Sequence, residues 1–212
     1  MDFIYFKKNY LKIAFYFGLT VLLGSATILL SLDELECSLI FIFQSFIQKN
    51  SGIVIFQVVT YIGDFYIWLL FTIGFLLYSY FLSRKTFYVA VELAVNLLLI
   101  TVATFFLKTI FARPRPHCPN ITIYAHESFS AYPSGHVSRA TSALLTFLKE
   151  NRFRKIIVSA GILTLSLSRI ILGVHFPTDT IGAIFLSIAV FIVSKDITKS
   201  FLLNTNLDQN KI

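Results

Sequence analysis

A cation, an imidazole and a carboxylate follow one another closely in the second half of the chain. Arg169 precedes His175, and Asp179 lies one helical turn after the histidine. Because proline suits the first turn of a helix, we expect a helix to begin near Pro177 with Asp179 in that turn. A carboxylate so placed can orient an imidazole and raise its basicity, as a general base or a nucleophile requires. The competing interpretation is a helix-capping aspartate beside an interfacial histidine.

A cluster of cations precedes two prolines in the middle of the chain. Lys108, Arg113 and Arg115 lie close together, and Pro114 and Pro116 should end a helix there. Guanidinium groups bind phosphate oxygens in pairs and a lysine adds a point charge, so the cluster could hold a phosphate. The alternative is snorkelling, in which cations at a helix end reach towards the membrane interface. For Arg113 snorkelling is our first interpretation, and contact with a second phosphate is the other.

The string Tyr132-Pro133-Ser134-Gly135-His136 has the composition of a helix start. Ser134 is the predicted N-cap, and Gly135 would let a ligand approach the backbone. Free amides and the positive end of the helix dipole attract anions at such a position. His136 could donate a proton to a leaving group. Alone, the string is a weak signal, because Pro-Ser-Gly begins many helices by chance.

The composition is that of a membrane protein. Of 212 residues, 56% are hydrophobic and 14% are charged, and the mean hydropathy is +0.76. A soluble domain of this size needs less apolar surface. Six apolar runs predict six transmembrane helices, over residues 11–32, 65–83, 87–110, 135–149, 155–173 and 178–194.

Between the first two runs, apolar residues recur at helical spacing, with Gln44 and Gln48 away from them. This pattern predicts an amphipathic helix in the membrane interface, with a re-entrant segment as the alternative. The expected fold is therefore an all-α integral membrane protein of one domain, over residues 1–212.

The distribution of Lys and Arg predicts the orientation of the chain. One set of helix ends is far richer in these residues and alternates correctly with six spans, so both termini should face the cytoplasm. All three polar motifs then lie at the extracytoplasmic ends of their helices, where they would surround one anion. The net charge of +7 needs no nucleic-acid partner, because the orientation bias and an anionic substrate explain it and no basic-aromatic platform is present.

Taken together, the three motifs resemble the signature of the type 2 phosphatidic acid phosphatase (PAP2) superfamily. Its parts occur here in order, as Lys108-x6-Arg115-Pro116, Pro133-Ser134-Gly135-His136 and Ser168-Arg169-x5-His175-x3-Asp179. The resemblance covers about residues 53–194, which we take as the catalytic core. The predicted six spans match the membrane branch of the superfamily.

This resemblance implies hydrolysis of a phosphate ester or anhydride through a phosphohistidine, without a metal ion or a cofactor. His175 would be the nucleophile, Asp179 its partner and His136 the general acid. The phosphate would be bound by Lys108, Arg115, Ser134, Gly135 and Arg169. In the sequence no Asp, Glu and His cluster of the metal-binding type is visible, in keeping with a metal-free site.

A site at the outer ends of membrane helices suits a phosphate headgroup whose tails remain in the bilayer. The expected substrate is a polyprenyl diphosphate of the undecaprenyl or dolichyl type. Phosphatidate, phosphatidylglycerophosphate and lipid A are alternatives, as is phosphoryl transfer to a lipid acceptor. An anionic-lipid transporter or binding protein is an alternative of a different class, although transporters bind substrate near the membrane midplane.

Three further residues are candidates for lesser roles near the site. Glu127 could close the site or shape its specificity. Cys37 and Cys118 are both expected outside the cell, where they could pair as a disulfide or stay free. The sequence gives no indication of the oligomeric state.

Overall fold

The computed structural model describes residues 2–48, 52–125, 127, 129–148 and 151–204, and the regular structure in these ranges is helical. The all-α prediction is therefore confirmed for the described part of the chain. Its α-helices are α1 Asp2–Leu29, α2 Asp33–Gln48, α3 Ile53–Thr60, α4 Phe65–Leu82, α5 Arg84–Phe111, α6 Gly135–Thr146, α7 Arg152–Ile171 and α8 Pro177–Asn204. A short 3-10 turn, Tyr61–Gly63, joins α3 to α4.

Four segments are long and apolar enough to cross a membrane, namely Asn9–Leu29, Phe65–Leu82, Arg84–Phe111 and Pro177–Ser200. The other two predicted spans are also helices but differ in character. Helix α6 has 12 residues, which is about 18 Å and well short of a bilayer core of roughly 30 Å. Helix α7 carries basic residues at both ends. Six complete spans therefore stay a prediction, and residue 149 at the end of the fourth lies outside the described residues.

Helix α8 lies at the centre of the bundle and packs against α1, α5 and α6. Leucines and an isoleucine of α5 pack against one alanine of α6 and one leucine of α8. This largest buried cluster consists of Leu93, Leu97, Ile100, Leu107, Ala143 and Leu186. A second cluster joins α6, α7 and α8 through Val137, Ala140, Leu165 and Ala183. Small residues at these crossings let the helices approach closely, as is typical of membrane bundles.

Helix α2 confirms a helix between the first two predicted spans. Glu36, Ile40 and Gln44 are buried, so a partly polar stripe faces the protein. The Gln44 amide donates to the carbonyls of Thr122, at 2.7 Å, and Ile171, at 2.8 Å. The exposed large apolar residues of α2 are Leu35, Leu39, Phe41, Ile42, Phe43 and Phe46. Contact of this exposed face with the membrane interface stays a prediction.

A disulfide between Cys37 and Cys118 joins α2 to the long connection between α5 and α6. The pairing that the sequence left open is therefore present. Beside it, Ile40 packs with Ile170 and Phe176 in a small apolar cluster. Helix α2 is thus fastened over the end of the bundle where α7 ends and α8 begins.

Candidate active site

The helix ends bring the three motifs together at one end of the bundle. Lys108 and Arg169 lie in the last turns of α5 and α7. Helices α6 and α8 begin at the same end, with Gly135 and Pro177 as their first residues. As a result, the cations of two helix ends face the amides of two helix starts.

His175 and Asp179 form a buried pair in the connection from α7 to α8. Both side chains are fully buried. His175 Nδ1 lies 3.3 Å from Asp179 Oδ2, and the same oxygen accepts a 2.9 Å bond from the Phe176 amide. Arg115 Nη1 lies 3.1 Å from His175 Nε2. Because arginine can only donate, Nε2 is the acceptor, and the imidazole proton belongs on Nδ1 towards the carboxylate.

The surroundings of His175 favour its neutral form. Burial lowers the pKa of His175 well below its usual value, and the charges of Arg115, Arg169 and Lys108 lower it further. Burial also lowers the pKa of Arg115, to about 10, which still leaves the guanidinium charged at neutral pH. The site therefore combines an unprotonated ring nitrogen with a cationic surrounding, the state that a nucleophile for an anionic phosphate requires.

Backbone carbonyls fix the orientation of Arg115. Its Nε donates to the carbonyl of Phe129 and its Nη1 to that of Val174, each at 2.7 Å. The remaining nitrogen, Nη2, donates to Glu127 Oε2 at 2.8 Å. The planar guanidinium is thus held between two chain segments with one edge towards the centre of the site.

The other two cations reach the same region from different helices. Arg169, which is 1% exposed, donates to the Thr60 hydroxyl through Nη1 and to Glu127 Oε1 through Nη2. Its Nε has no partner within the described part of the chain. The Lys108 ammonium donates to the carbonyls of Ser130 and Ala131. Thr60, at the end of α3, was not among the residues expected at the site.

Glu127 occupies the point where these groups converge. One carboxylate oxygen binds Arg115 and the other binds Arg169. Oε1, the oxygen that binds Arg169, also lies 3.4 Å from His136 Nδ1. Such bridging of two guanidinium groups is the binding mode that arginines offer to any planar or tetrahedral anion. The carboxylate of Glu127 therefore holds the position between the cations in this structure.

Ser134 stands at the predicted N-cap position of α6. Its hydroxyl accepts no hydrogen bond from the helix. The residue is fully buried, and the hydroxyl has no partner among the described residues. Buried polar groups are usually satisfied, because leaving one unpaired costs about 1–3 kcal/mol. The hydroxyl is therefore available to a ligand at the start of α6, beside the buried Gly135.

His136 lies in the first turn of α6, against the turn that leads into α4. A Cβ atom on Gly63 would lie 2.6 Å from His136 Cβ, so only glycine allows this approach. The imidazole side chain is 18% exposed, and Nδ1 faces Glu127. His136 therefore lies beside the carboxylate of Glu127, which bridges Arg115 and Arg169.

Arg113 does not snorkel, and that interpretation is wrong. Its side chain is buried and forms ion pairs with Asp179, Asp33 and Glu36, at 2.6–2.7 Å. It also donates to the Thr178 hydroxyl at 2.7 Å. The physical reason is that three carboxylates converge on this point, which draws the guanidinium inwards. Contact with a second phosphate is equally at odds with this geometry, because both terminal nitrogens are already bonded.

The family of the chain is shown by its sequence. The family model of the PAP2 superfamily matches residues 89–201, more than half of the chain. The chain therefore belongs to the PAP2 superfamily. All eight predicted site residues lie within the matched segment, namely Lys108, Arg115, Ser134, Gly135, His136, Arg169, His175 and Asp179.

Individual relatives are bacterial membrane phosphatases. Over 89 residues the chain is 30% identical to phosphatidylglycerophosphatase B of Bacillus subtilis, a match that covers 36% of this chain and 43% of that protein. The chain therefore aligns with less than half the length of this curated relative.

Solved structures share the architecture over longer stretches. The transmembrane PAP2 type phosphatidylglycerolphosphate phosphatase from Bacillus subtilis has a TM-score of 0.70 at 23% identity, covering 89% of this chain and 96% of that chain. LpxE from Aquifex aeolicus has a TM-score of 0.59 at 27% identity, covering 68% and 85%. With four segments able to cross a bilayer, these likenesses identify a multi-pass membrane protein.

Proposed function

We propose that this protein is a membrane lipid phosphatase that removes a phosphate from a lipid headgroup through a phosphohistidine intermediate. One observation carries the proposal. His175 presents Nε2 towards Arg115, at 3.1 Å, while its Nδ1 faces Asp179, at 3.3 Å. A neutral, oriented imidazole beside three cations is suited to attack on phosphorus and to little else.

In the first step the phosphate displaces the Glu127 carboxylate and binds Arg115 and Arg169. Lys108, the Ser134 hydroxyl and the amides at the start of α6 add further positive potential, and such stabilisation provides most of the catalysis in phosphoryl transfer. His175 Nε2 forms a bond to phosphorus while the bond to the leaving oxygen breaks. Asp179 stabilises the positive charge that develops on the ring.

His136 supplies and recovers the proton. In the first step it protonates the leaving oxygen of the lipid as a general acid. In the second step it takes a proton from a water molecule that attacks the phosphorus, and the bond between phosphorus and His175 breaks. Inorganic phosphate leaves, and both histidines return to their starting states.

We propose a polyprenyl diphosphate as the first substrate to test. The connection between α5 and α6, residues 112–134, is too small to form a separate domain that recognises a large headgroup. Phosphatidylglycerophosphate is the second candidate, because a phosphatidylglycerophosphatase is 30% identical to this chain over 89 residues. Phosphatidate and lipid A remain further substrates for the same chemistry.

We also propose that the site faces the extracytoplasmic side and that both termini are cytoplasmic. The Lys and Arg distribution supports this orientation. So does the disulfide between Cys37 and Cys118, which lies at the same end of the bundle as the site. Disulfides persist in oxidising compartments and are rare in the cytosol.

Release of inorganic phosphate by the purified protein tests the proposal directly. The substrates are a polyprenyl diphosphate, phosphatidylglycerophosphate, phosphatidate and lipid A, each presented in detergent micelles with and without EDTA. We expect phosphate release that EDTA leaves unchanged, because the proposed steps use only side chains. Loss of activity in EDTA would contradict the metal-free mechanism, and lipid binding without phosphate release would favour a transporter or binding protein.

A further inference from the structure

The end of α5 directs the Arg113 side chain towards Asp179. Ala112 has φ 43° and ψ 30°, the left-handed conformation, and its amide donates to the Lys108 carbonyl at 3.0 Å. An alanine adopts this conformation only where the surroundings require it. The turn separates the directions of Arg113 and Arg115. The Arg113 guanidinium carbon lies 4.0 Å from the centre of the Phe176 ring, next to the catalytic pair.

The two ends of the Arg113 guanidinium bind different elements. Nη1 donates to Asp179 Oδ1 and to the Thr178 hydroxyl on α8, each at 2.7 Å. Nη2 donates to Asp33, at 2.7 Å, and to Glu36, at 2.6 Å, on α2. Since Asp179 Oδ1 is taken by Arg113, the other oxygen, Oδ2, is the one left to face the imidazole of the nucleophile.

Glu36 supports the same carboxylate by a second route. Glu36 Oε2 accepts a hydrogen bond from Arg113. Glu36 Oε1 accepts hydrogen bonds from the Thr178 amide, at 2.8 Å, and from the Thr178 hydroxyl, at 2.9 Å. Thr178 directly precedes Asp179 in the first turn of α8. Cys37, the next residue after Glu36, fastens α2 through the disulfide to Cys118. Helix α2 therefore holds both the arginine and the turn that carries Asp179.

From these contacts we infer that Arg113 and Glu36 are positioning residues, which fix the rotamer of Asp179 and thereby the tautomer and direction of His175. Buried ion pairs add little net stability, because desolvation offsets much of their attraction. Arg113 occupies Oδ1 of Asp179 and leaves Oδ2 to His175, so its role is to orient the carboxylate. Without Arg113, Asp179 and Glu36 would face each other as like charges, and Asp179 would turn away from the imidazole. The inference rests on the proposed function of His175 and deepens it.

The test compares Arg113→Gln, Arg113→Lys, Glu36→Gln and, as a matched control, Glu34→Gln. Glu34 is an exposed acid in the same first turn of α2. For each purified variant, kcat is measured with the lipid substrate, and inorganic phosphate is used as a competitive inhibitor. We expect kcat to fall about 10- to 100-fold in Arg113→Gln, by analogy with residues that orient the ligands of metal sites, whose loss usually costs this much. Arg113→Lys should be intermediate, because one ammonium cannot bind both Asp179 and Glu36.

The phosphate inhibition constant separates positioning from binding. It should stay at the wild-type value in these variants, because Arg115, Arg169 and Lys108 are untouched. If Arg113→Gln does not fold, the same result in Arg113→Lys and Glu36→Gln supports the inference. Wild-type kcat in the folded variants, or a loss of phosphate inhibition in parallel with kcat, would overturn it. Activity in His175→Ala would overturn the proposed function instead, so the two failures are distinguishable.

Discussion

At the scale of single residues, the chemistry of the site depends on which atom of each side chain faces which partner. His175 offers Nε2 to the cations and Nδ1 to Asp179. The residue types alone predicted the cations and the histidines, since their chemistry is visible in the sequence. The partners of Arg113 were not predictable in this way, because Glu36 lies 77 residues away along the chain. Only the fold brings that acid to the site.

Glu127 provides a prediction at the same scale. It bridges Arg115 and Arg169, so a phosphate must compete with its carboxylate. Glu127→Gln keeps the shape of the side chain and removes its charge. We expect inorganic phosphate to inhibit the variant about tenfold more tightly, because a charge-assisted hydrogen bond contributes about 1.5–3 kcal/mol and 1.4 kcal/mol is a factor of ten. The measurement is the competitive inhibition constant of phosphate.

A residue on the same connection serves as the control for that experiment. His117→Gln changes a side chain that forms no hydrogen bond with either guanidinium among the described residues. Its phosphate inhibition constant should equal that of the wild type. Unchanged or weaker inhibition in Glu127→Gln would show that the carboxylate does not compete for the phosphate position.

At the scale of elements, the apolar runs predicted where the helices lie. Each of the six predicted runs contains a helix in the described part of the chain, because the bilayer requires long apolar segments with internal backbone bonds. The buried face of α2 was not predicted, since Gln44 lies inward where its amide satisfies the backbone of Thr122 and Ile171. Hydrogen bonding to the connection before α6 and to the last residue of α7 outweighed the simple separation of polar and apolar faces.

The disulfide provides a prediction for α2. It closes a loop with a sequence separation of 81, and chain-entropy arguments give about 4 kcal/mol for a loop of that size. Replacing both Cys37 and Cys118 with serine should lower the thermal unfolding midpoint. It should also lower kcat, because α2 would hold Arg113 less firmly. Unfolding can be followed by the fluorescence of the single tryptophan, Trp68.

The matched control for this pair is Ser38→Ala, a change at an exposed position on the same helix. We expect its unfolding midpoint and kcat to equal those of the wild type. A double serine variant with the wild-type midpoint and rate would mean that the disulfide neither stabilises α2 nor supports the site.

At the scale of the whole molecule, the bundle gathers polar groups at one end and leaves apolar surface along its sides. This arrangement suits a substrate whose headgroup reaches the site while its tails remain in lipid. The predicted catalytic core over residues 53–194 omits α2, yet α2 supplies Glu36 and Asp33 to the site. The motifs do not indicate that α2 takes part in the site, because α2 carries no motif of its own. It contributes only through the contacts of Asp33 and Glu36 with Arg113.

The central claim is that a phosphate becomes attached to His175 during turnover. It is tested by mixing the purified protein with a lipid substrate labelled in the transferred phosphate and quenching in alkali, where phosphohistidine is stable, or in acid, where it is lost. We expect alkali-stable, acid-labile label on the wild-type protein and none on His175→Ala, with turnover abolished in the variant. Equal labelling of His175→Ala, or full turnover without any labelled protein, would contradict the account.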